Sequence, residues 1–592
     1  MVPIPEALWQ LGGPAEAFTV TPVAEQGEVT RIGGRLQNTS AAPQRLTALF
    51  ARFRLNHGEY QVYTQYNGWQ SESLGGWQPL VSSVSASSES IRSARDAAPF
   101  LALWNEQTAR GIAFHLLPRS GWEMQVSRRY LKGEFACVEV ELGLPQKNLS
   151  LTLKAGELLE LPEILCYEFT CKRDMDCHKL HRYLHRRAPR RELPVIYNSW
   201  LYKFDRFTPE ELLVQAEKAA ALGVEYFVID AGWFGEGENW SRARGDWEEN
   251  QTFGIRGRMS EVSQKVRSLG MKFGFWLEPE SASKTAKIVK EHPDWFLEGK
   301  SQYFLNFAHP DAFRYILDTT CRLIERYHAS YIKFDFNDDI FGADDAFIAY
   351  HQGHKAYLCA LRERYPALYL ESCASGGNRM VLSDGLLFDS FWLSDNQSPY
   401  HGVRIFKDTL LRMPPQWIEC WAAVTSTPPL TPIYDSCEKG EKLIAANDAT
   451  WDSVTGVRPS FLKGFLTGNP VGLTCDLAAL SPAVFEELRE FIAAFKRDRA
   501  FWMGALCHIL ADTPSVQVLE FRNEELSRIE LVIFTFKSLQ NHLQVYPVAD
   551  PHTRYLVNGE ARSGESLWED GIDVAVSKSY DCIFISLKEE QK

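Results

Sequence analysis

The sequence lacks the features that identify several large classes of protein. It contains no run of about 18 apolar residues, so we expect no membrane-spanning helix. Its 12 Cys are scattered and form no CxxC pair, which argues against a disulfide framework and favours a reducing compartment, the cytoplasm. The N-terminal stretch has no basic segment followed by an apolar one, so no signal peptide is expected.

An excess of positive charge is also absent. The 63 Lys and Arg residues are outnumbered by 76 Asp and Glu residues, which gives a formal net charge of -13. An acidic chain repels the phosphate backbone of nucleic acids, so we expect no nucleic acid partner. Aromatic residues are abundant instead, with 17 Trp and 22 Tyr. Their flat apolar faces suit stacking on sugars, although large hydrophobic cores use the same residues.

The pattern along the 592 residues predicts three domains. Residues 1–185 contain short alternating or β-branched runs separated by Gly, Ser and Asn, which favours an antiparallel β-sandwich. Residues 186–505 alternate strand-like and helix-like segments, which is typical of a parallel α/β domain. Residues 506–592 return to short strand-like runs and predict a small C-terminal antiparallel β domain.

A (β/α)8 barrel, or TIM barrel, fits the central segment best. Its length of roughly 300 residues suits eight strand–helix repeats, and polar residues gather where the strand-like segments end. A doubly wound sheet is the alternative, but no GxGxxG sequence follows the first strand. One helix of this segment has a defined start, because Thr208 and Glu211 stand at the spacing of a capping box.

The stretch YIKFDFNDD, residues 331–339, places charged residues in an apolar strand. Successive side chains of a strand point to opposite faces, so Lys333, Asp335 and Asn337 would share one face. Burying charged groups is costly unless they pair with each other or contact a ligand. The stretch is therefore either a structural ion pair or the floor of a site.

Chemically active groups recur at the other predicted strand ends. The residues concerned are Trp200, Asp230, Trp276, Glu278, Glu280, Cys373, Gly376 and Asp395. Each has an ordinary structural explanation when taken alone, such as helix capping for Asp230. Together they place carboxylates, aromatic rings and hydrogen-bonding groups at one rim, which is the arrangement that glycoside hydrolysis needs. No His recurs there and no ligand set resembles a metal site, so we expect neither a metal nor a cofactor.

Five consecutive motifs carry a resemblance to a known family. They are VIDAGWFG, FGFWLEPE, YIKFDFN, ESCASGGNRM and FWLSDNQ, in that order within approximately residues 195–430. They resemble the signature of glycoside hydrolase family 36, the melibiase-type α-galactosidases. The resemblance implies a β-sandwich, a (β/α)8 barrel and a C-terminal β domain. It also implies a retaining exo-acting enzyme whose small-molecule or glycan substrate carries a terminal α-galactoside.

The family pattern implies a role for most of the residues at the strand ends. Asp335 matches the nucleophile and Asp395 matches the general acid and base of a double displacement. Lys333 would help to keep Asp335 ionised, whereas Asp395 must be protonated for part of the cycle. The implied substrate-binding residues are Trp200, Asp230, Trp276, Lys300, Lys333, Asn337, Cys373 and Gly376.

Within that set, the resemblance separates polar contacts from stacking contacts. Asn337, Cys373 and Gly376 match positions near the 2-hydroxyl of the sugar. Trp200 and Trp276 would form stacking walls.

Several positions depart from the family pattern. The family commonly has two adjacent Asp residues, which hold the 4- and 6-hydroxyls of galactose, where this chain has Asp230 and Ala231. Lys300 stands where the family usually has an Arg, so this chain lacks the bidentate guanidinium donor at that position. Three further departures are at Asp338, Val381 and Ser398. These changes leave the implied catalytic pair intact but leave the preference for galactose open.

Four functions are open from the sequence. The first is an α-galactosidase, and the second is the same chemistry on α-linked N-acetylgalactosamine, with the 2-acetamido group admitted beside Cys373. The third is a transglycosylase, in which an acceptor sugar replaces water. The fourth is a carbohydrate-binding protein without turnover, and the presence of both Asp335 and Asp395 argues against it. The oligomeric state is also open, with a homo-oligomer among the alternatives.

Overall fold

The computed structural model covers most of the chain. It describes residues 6–145, 147, 149–189, 192–299, 301–342, 344–396, 398–424, 431–432, 444–447, 454–536 and 542–590. Lys300, one of the predicted substrate-binding residues, lies outside the described residues.

The chain divides into two compact units. The first consists of residues 1–175, 232–257 and 276–392. The second consists of residues 176–231, 258–275 and 393–592. The three domain boundaries inferred from the sequence stay predictions.

Fifteen strands precede residue 170 among the described residues. They are β1 (Leu8–Gly12), β2 (Phe18–Glu25), β3 (Thr30–Asn38), β4 (Gln44–Leu46), β5 (Ala48–Asn56), β6 (Tyr60–Tyr66), β7 (Leu74–Pro79), β8 (Ser83–Ser88), β9 (Ala97–Asn105), β10 (Arg110–Leu117), β11 (Trp122–Leu131), β12 (Glu134–Gly143), β13 (Leu151–Leu153), β14 (Leu158–Glu160) and β15 (Glu163–Phe169).

These strands form two large antiparallel sheets. One has the order β1–β5–β12–β11–β8, and the other has the order β14–β3–β15–β10–β9–β6–β7 with β2 paired to β3. Alternate apolar side chains of both sheets pack into one core, where the rings of Phe53 and Phe114 lie 5.0 Å apart between centroids. The predicted N-terminal antiparallel sandwich is confirmed.

Fourteen strands follow between residues 195 and 474 in the described part of the chain. They are β16 (Val195–Asn198), β17 (Tyr226–Ile229), β18 (Lys272–Leu277), β19 (Ser281–Ala282), β20 (Phe296–Glu298), β21 (Tyr303–Leu305), β22 (Ala329–Phe334), β23 (Tyr369–Ser372), β24 (Ser390–Trp392), β25 (Ile418–Ala423), β26 (Thr431–Pro432), β27 (Ile444–Asn447), β28 (Val454–Val457) and β29 (Val471–Thr474).

The α-helices of the described residues are concentrated in the same part of the chain. They are α1 (His178–Arg187), α2 (Trp200–Lys203), α3 (Pro209–Leu222), α4 (Met259–Ser268), α5 (Lys287–Glu291), α6 (Pro310–Tyr327), α7 (Asp345–Arg364), α8 (Pro399–Leu410), α9 (Pro459–Phe465), α10 (Pro482–Gly504) and α11 (Gly564–Glu569).

Eight of these strands form a closed parallel barrel in the order β16–β17–β18–β22–β23–β24–β25–β29. The doubly wound alternative is wrong, because each outer strand of an open sheet has a neighbouring strand on one side only. Here the first barrel strand pairs with the last, with Val195 opposite Val471 and Ile196 opposite Gly472. The residues of β17 are all buried, as expected for a parallel strand that is covered on both faces.

The start of α3 agrees with its sequence pattern. Thr208 Oγ1 accepts the Glu211 N–H at 3.3 Å, and Glu211 Oε2 accepts the Thr208 N–H at 2.8 Å. The predicted capping box is confirmed. It fixes the point at which the chain turns from β16 and α2 into the first long helix of the barrel.

The C-terminal region is antiparallel, as predicted. Its strands are β30 (Leu506–Asp512), β31 (Val516–Arg522), β32 (Arg528–Thr535), β33 (His542–Val545), β34 (Arg554–Val557), β35 (Glu560–Ser563), β36 (Ile572–Ala575) and β37 (Asp581–Glu589). The main sheet has the order β30–β31–β32–β37–β34–β35, and β33 pairs with β36. Among the described residues, no helix has both the length and the apolar character that a membrane span requires.

Candidate active site

Asp335 lies immediately after β22 and is only 7% exposed. The sequence predicted a strand that continued to Asn337, but the strand ends at Phe334. The Asp335 N–H still donates to the Leu277 carbonyl oxygen at 3.0 Å, which fixes the Asp335 backbone against the end of β18. Asp335 and Asn337 therefore lie in a short loop whose first residue is held like a strand residue.

Both carboxylate oxygens of Asp335 accept hydrogen bonds. Oδ2 accepts from Trp276 Nε1 at 3.1 Å and from Asn337 Nδ2 at 2.7 Å. Oδ1 accepts the backbone N–H of Phe336 at 2.8 Å and that of Ser375 at 3.3 Å. These four donors fix the plane of the carboxylate and stabilise its charged form.

Asp335 keeps its charge although it is buried. Burial tends to raise the pKa of the Asp335 carboxyl. The nearby ammonium group of Lys333 opposes this effect and, with the hydrogen bonds that the carboxylate accepts, holds the pKa below its usual range. Lys333 is itself buried, with Nζ 5.8 Å from the centre of the Trp392 ring. Asp335 is therefore ionised at neutral pH.

Trp276, at the end of β18, is 1% exposed. Its ring packs against Phe234, Trp240 and Trp247 at centroid distances of 6.0, 5.8 and 6.3 Å. This aromatic cluster orients the indole so that its N–H points at Asp335. The sequence suggested a stacking wall for Trp276, which stays a prediction, and it gave no sign of the hydrogen bond.

The loop after β23 brings Cys373 and Ser375 to the same carboxylate. The Cys373 thiol hydrogen-bonds to Asp335 and contributes to the lowered pKa of that carboxyl. Ser375 Oγ donates to Asn337 Oδ1 at 2.9 Å, which connects this loop to the loop after β22. Gly376 has φ +84°, in the left-handed region that a Gly adopts without strain. The structure thus brings together four predicted residues around Asp335, namely Trp276, Lys333, Asn337 and Cys373, whereas Gly376 follows Ser375 in the same loop.

Glu278 is a second buried carboxylate beside Asp335. Its Oε1 accepts the Asn337 N–H at 3.0 Å, and its Oε2 lies 3.3 Å from Arg244 Nη1. The sequence placed Glu278 at the rim without a role. It gave no signal for Arg244, because the loop that carries this residue has no regular pattern.

Glu280 forms a third buried carboxylate centre. Its Oε2 accepts from Arg379 Nη2 at 3.0 Å and from the Tyr350 hydroxyl at 2.8 Å, and Arg379 Nη1 contacts Oε1. Burial tends to raise the pKa of Glu280, but the charge of Arg379 and these hydrogen bonds lower it to about 2. The Arg379 guanidinium also lies 5.0 Å from the centre of the Phe336 ring, directly after Asp335 in the chain.

The N-terminal sandwich holds the far end of the Asp335 loop. Asp339 Oδ1 accepts from Ser90 Oγ at 2.6 Å and from Arg92 Nε at 2.9 Å, and Oδ2 lies 2.8 Å from Arg95 Nε. Sequence reasoning missed Asp339, and no local pattern could reveal it, since its partner Ser90 lies 249 positions away.

In the second unit, Asp230 directly follows β17 and is buried. Its Oδ2 accepts from Asn198 Nδ2 at 2.7 Å, and its Oδ1 accepts the Ala231 N–H at 2.8 Å. Asn198 Oδ1 also accepts the Trp200 N–H at 2.8 Å, so Asn198 connects two predicted residues. Sequence reasoning missed Asn198, although its place at the end of β16 was a usable signal.

Asp395 lies in the loop after β24 and is half-buried. The turn around it is held by Ser394 Oγ, which accepts the Asn396 N–H at 3.0 Å, and by Asn396 Oδ1, which accepts the Ser398 N–H at 3.4 Å. The role of Asp395 as the acid and base stays a prediction.

The central part of the chain is similar to known proteins. The family model described as Melibiase matches residues 166–431. This match and the relatives support the assignment of the chain to the melibiase family, glycoside hydrolase family 36. The alpha-galactosidase of Escherichia coli is 36% identical to this chain over 307 residues, which is 49% of this chain and 42% of the relative. The bifunctional alpha-galactosidase/sucrose kinase AgaSK of Mediterraneibacter gnavus is 31% identical over 46% of this chain and 31% of the relative.

The matched part of the chain spans less than half of the length of these two relatives.

Solved structures of the family share the fold over nearly the whole chain. The galactosidase domain of AgaSK aligns with a TM-score of 0.85 at 21% identity, over 99% of this chain and 84% of that domain. AgaA from Geobacillus stearothermophilus aligns with a TM-score of 0.85 at 20% identity, over 99% of this chain and 83% of AgaA.

The arrangement in this chain suits nucleophilic chemistry. Asp335 is ionised, oriented by four donors and adjacent to the buried Lys333. Hydrogen-bond donors and an ammonium group surround the Asp335 carboxylate. In a carboxylate that binds a metal, the cation occupies the place of such donors. The absence of a metal and of a cofactor stays a prediction.

We expect the Glu280–Arg379 pair to make stability depend on pH. The ordinary pKa of a Glu is 4.5 and that of folded Glu280 is about 2, so the stabilisation is present above pH 4.5 and is lost as the pH falls toward 2. The expected size is about 3 kcal/mol of unfolding free energy. Urea unfolding at pH 6 and pH 3 should show a smaller pH effect in Glu280→Gln with Arg379→Met than in the wild type. Glu291→Gln, at an exposed position in α5, is the control, and an unchanged pH effect in the double variant would refute the assignment.

Proposed function

We propose that this protein is a retaining, exo-acting glycoside hydrolase that removes terminal non-reducing α-linked galactose from oligosaccharides or glycoconjugates. The observation that carries the proposal is the ionised, buried and oriented carboxylate of Asp335 at the end of a barrel strand. The relatives support the substrate class. The Escherichia coli relative is an alpha-galactosidase, and variants of AgaA have been solved in complex with raffinose and with stachyose.

The first step of the proposed reaction forms a covalent intermediate. Asp335 attacks the anomeric carbon, and the bond from that carbon to the leaving oxygen breaks. Asp395 gives its proton to the leaving oxygen at the same time. In the second step Asp395, now ionised, takes a proton from water, and the water oxygen displaces Asp335 from the anomeric carbon. The net reaction consumes one water and releases galactose with its α configuration retained.

The surroundings of Asp335 support the nucleophile role in both steps. A lowered pKa keeps the carboxylate ready to attack at neutral pH. The donors from Trp276 and Asn337 on Oδ2 then stabilise the negative charge that returns to Asp335 when the intermediate is hydrolysed. The same four donors prevent rotation of the carboxylate, so the attacking oxygen is oriented before substrate binds.

Substrate contacts are proposed for eight residues. Asn337 is exposed on one side and bonded to Asp335 on the other, which suits an amide that contacts a sugar hydroxyl near the reacting carbon. Asp230 is oriented by Asn198 and offers a fixed acceptor. The complete set that we assign to substrate binding is Trp200, Asp230, Trp276, Lys300, Lys333, Asn337, Cys373 and Gly376.

Asp335→Ala should abolish hydrolysis, because no covalent intermediate can form without the carboxylate. The wild type should release p-nitrophenol from the α-galactoside and not from the α-glucoside. In Asp335→Ala, azide should restore part of the turnover by attacking the anomeric carbon itself, and the product should be the β-galactosyl azide.

Asp311→Ala provides the matched control, since Asp311 is an exposed carboxylate at the start of α6. It should retain wild-type kinetics. Normal turnover in Asp335→Ala, with the fold verified by circular dichroism, would exclude Asp335 as the nucleophile.

Asp395→Ala should affect substrates according to their leaving groups. A sugar leaving group needs a proton in the transition state, whereas p-nitrophenolate leaves without one. We expect kcat/KM for melibiose-type oligosaccharides to fall about 100-fold or more, and that for the p-nitrophenyl glycoside to fall much less. An equal loss for both substrates would assign Asp395 to positioning instead of proton transfer.

A second candidate function is α-N-acetylgalactosaminidase activity. The 2-acetamido group would lie beside Cys373, which matches a position near the 2-hydroxyl of the sugar. A second observation bears on sugar preference in general: Ala231 is a buried residue at a position where the family commonly has a second Asp beside Asp230. The carboxylate of Asp230 is already engaged by Asn198 and by the Ala231 N–H. The site therefore offers the sugar one carboxylate fewer, which weakens the preference for galactose over related sugars.

Ala231→Asp should change the ratio of α-galactoside to α-N-acetylgalactosaminide turnover, or raise the affinity for galactose, by about tenfold or more. The reason is that a hydrogen bond to a charged group contributes roughly 1.5–3 kcal/mol. Kinetics on both p-nitrophenyl glycosides measure the ratio. Ala221→Asp, an exposed substitution in α3, is the control. If both variants match the wild type on every sugar, position 231 does not contact the glycone.

A further inference from the structure

Glu278 is buried next to the proposed nucleophile without touching it. It lies directly after β18 and has 0% exposure. Its Oε1 accepts the Asn337 N–H at 3.0 Å. Its Oε2 lies 3.3 Å from Arg244 Nη1 and 3.5 Å from Asn337 Nδ2. Both oxygens of Glu278 therefore face donors, and two of the three donor groups belong to Asn337.

Asn337 is the link between the two carboxylates. Its Nδ2 donates to Asp335 Oδ2 at 2.7 Å, and its Oδ1 accepts from Ser375 Oγ at 2.9 Å. The ionised carboxylate of Asp335 can only accept, so it fixes which end of the amide carries the NH2 group. Glu278 holds the backbone of the same residue, so the direction of Nδ2 toward Asp335 depends on Glu278.

We propose that Glu278 is a positioning residue for the nucleophile, acting through Asn337, and that it does so only as a carboxylate. The proposal rests on the proposed function of Asp335. It assigns to Glu278 and Arg244 a role in setting the orientation of the Asn337 amide. Arg244 balances the charge of Glu278, which stands close to the like charge of Asp335.

The donor pattern explains why a neutral amide cannot replace Glu278. A Gln at this position has one oxygen and one NH2 group. In one orientation the NH2 group faces the Asn337 N–H, and in the other it faces Arg244 and Asn337 Nδ2. Either orientation sets two donors against each other, which costs the hydrogen bond and leaves a buried donor unsatisfied.

Protonation of Glu278 has the same consequence as the Gln substitution. Burial raises the pKa of Glu278, and the negative charge of Asp335 raises it further, whereas Arg244 lowers it. Tyr350 on α7 is a further titratable group whose ionisation Glu278 affects, and it stays neutral because burial raises its pKa well above the usual value. As the pH falls, Glu278 takes up a proton before Asp335 does, so the acid limb of kcat/KM belongs to Glu278.

Glu278→Gln tests this inference with p-nitrophenyl α-galactoside or whichever p-nitrophenyl α-glycoside the wild type hydrolyses. We expect kcat to fall about 10- to 100-fold with a smaller change in KM, because one hydrogen bond to a charged group is lost. The acid limb of kcat/KM should move to lower pH, since the group that titrates first is gone. A purely structural role would lower the amount of folded enzyme without moving the pH profile.

The matched control is Glu248→Gln. Glu248 pairs with Arg322 at 3.3 Å, the same distance as the Glu278–Arg244 pair, but it is exposed. This variant should keep the wild-type kcat and pH profile. If Glu278→Gln melts at a much lower temperature than the wild type, the double variant Glu278→Gln with Arg244→Met, which leaves no unpaired guanidinium, should show the same loss in kcat and the same shift.

A wild-type kcat and an unmoved acid limb in a folded Glu278 variant would overturn the inference. That result is distinct from failure of the proposed function, which would appear as full activity in Asp335→Ala. An inactive Asp335→Ala together with an unaffected Glu278→Gln would leave Asp335 as the nucleophile and remove Glu278 from the site.

Discussion

A buried carboxylate stays charged only when protein groups replace the water that it has lost, and Asp335 depends on this replacement. Its donors come from the ends of three barrel strands: Trp276 from β18, Asn337 after β22 and Ser375 after β23. Lys333 supplies the compensating charge from within β22. Because the donors belong to separate strands, the geometry of the carboxylate is determined by three neighbouring strands of the barrel. The proposed chemistry follows from that geometry, since an ionised and oriented carboxylate is what a retaining mechanism requires.

A second layer of acids, of which Glu278 and Glu280 are buried, holds the loops that carry these donors. Each of three carboxylates is paired with at least one arginine: Glu278 with Arg244, Glu280 with Arg379, and Asp339 with Arg92 and Arg95. Breaking such a buried pair leaves one charge without its partner, which is destabilising. Their common feature is position, because each one fixes a segment next to Asp335. We therefore expect these ion pairs to hold the loops in place in addition to their effect on stability.

The residues that we propose for the chemistry differ from those that we propose for sugar preference. Asp335 and its donors lie in one unit, whereas Asp230, Asn198 and Ala231 lie in the other. A change at Ala231 alters the acceptors available to a sugar hydroxyl without altering any hydrogen bond to Asp335. A chain of this family can therefore retain its proposed mechanism while its preference among related sugars changes.

The sequence by itself determined the class of fold and most of the candidate residues. Strand-like runs separated by amphipathic segments leave few arrangements other than a parallel barrel, and the motif around Asp335 marks a charged group where only a site or an ion pair is tolerated. Barrel closure required the structure, because it rests on the pairing of β16 with β29, which are about 275 residues apart. The indole donor of Trp276, the Glu278–Asn337 link and the Asp339–Arg92 pair also appeared only in the structure. Each joins residues that are distant in sequence. Local periodicity predicts the face on which a residue lies, but it does not predict the partner that the residue contacts there.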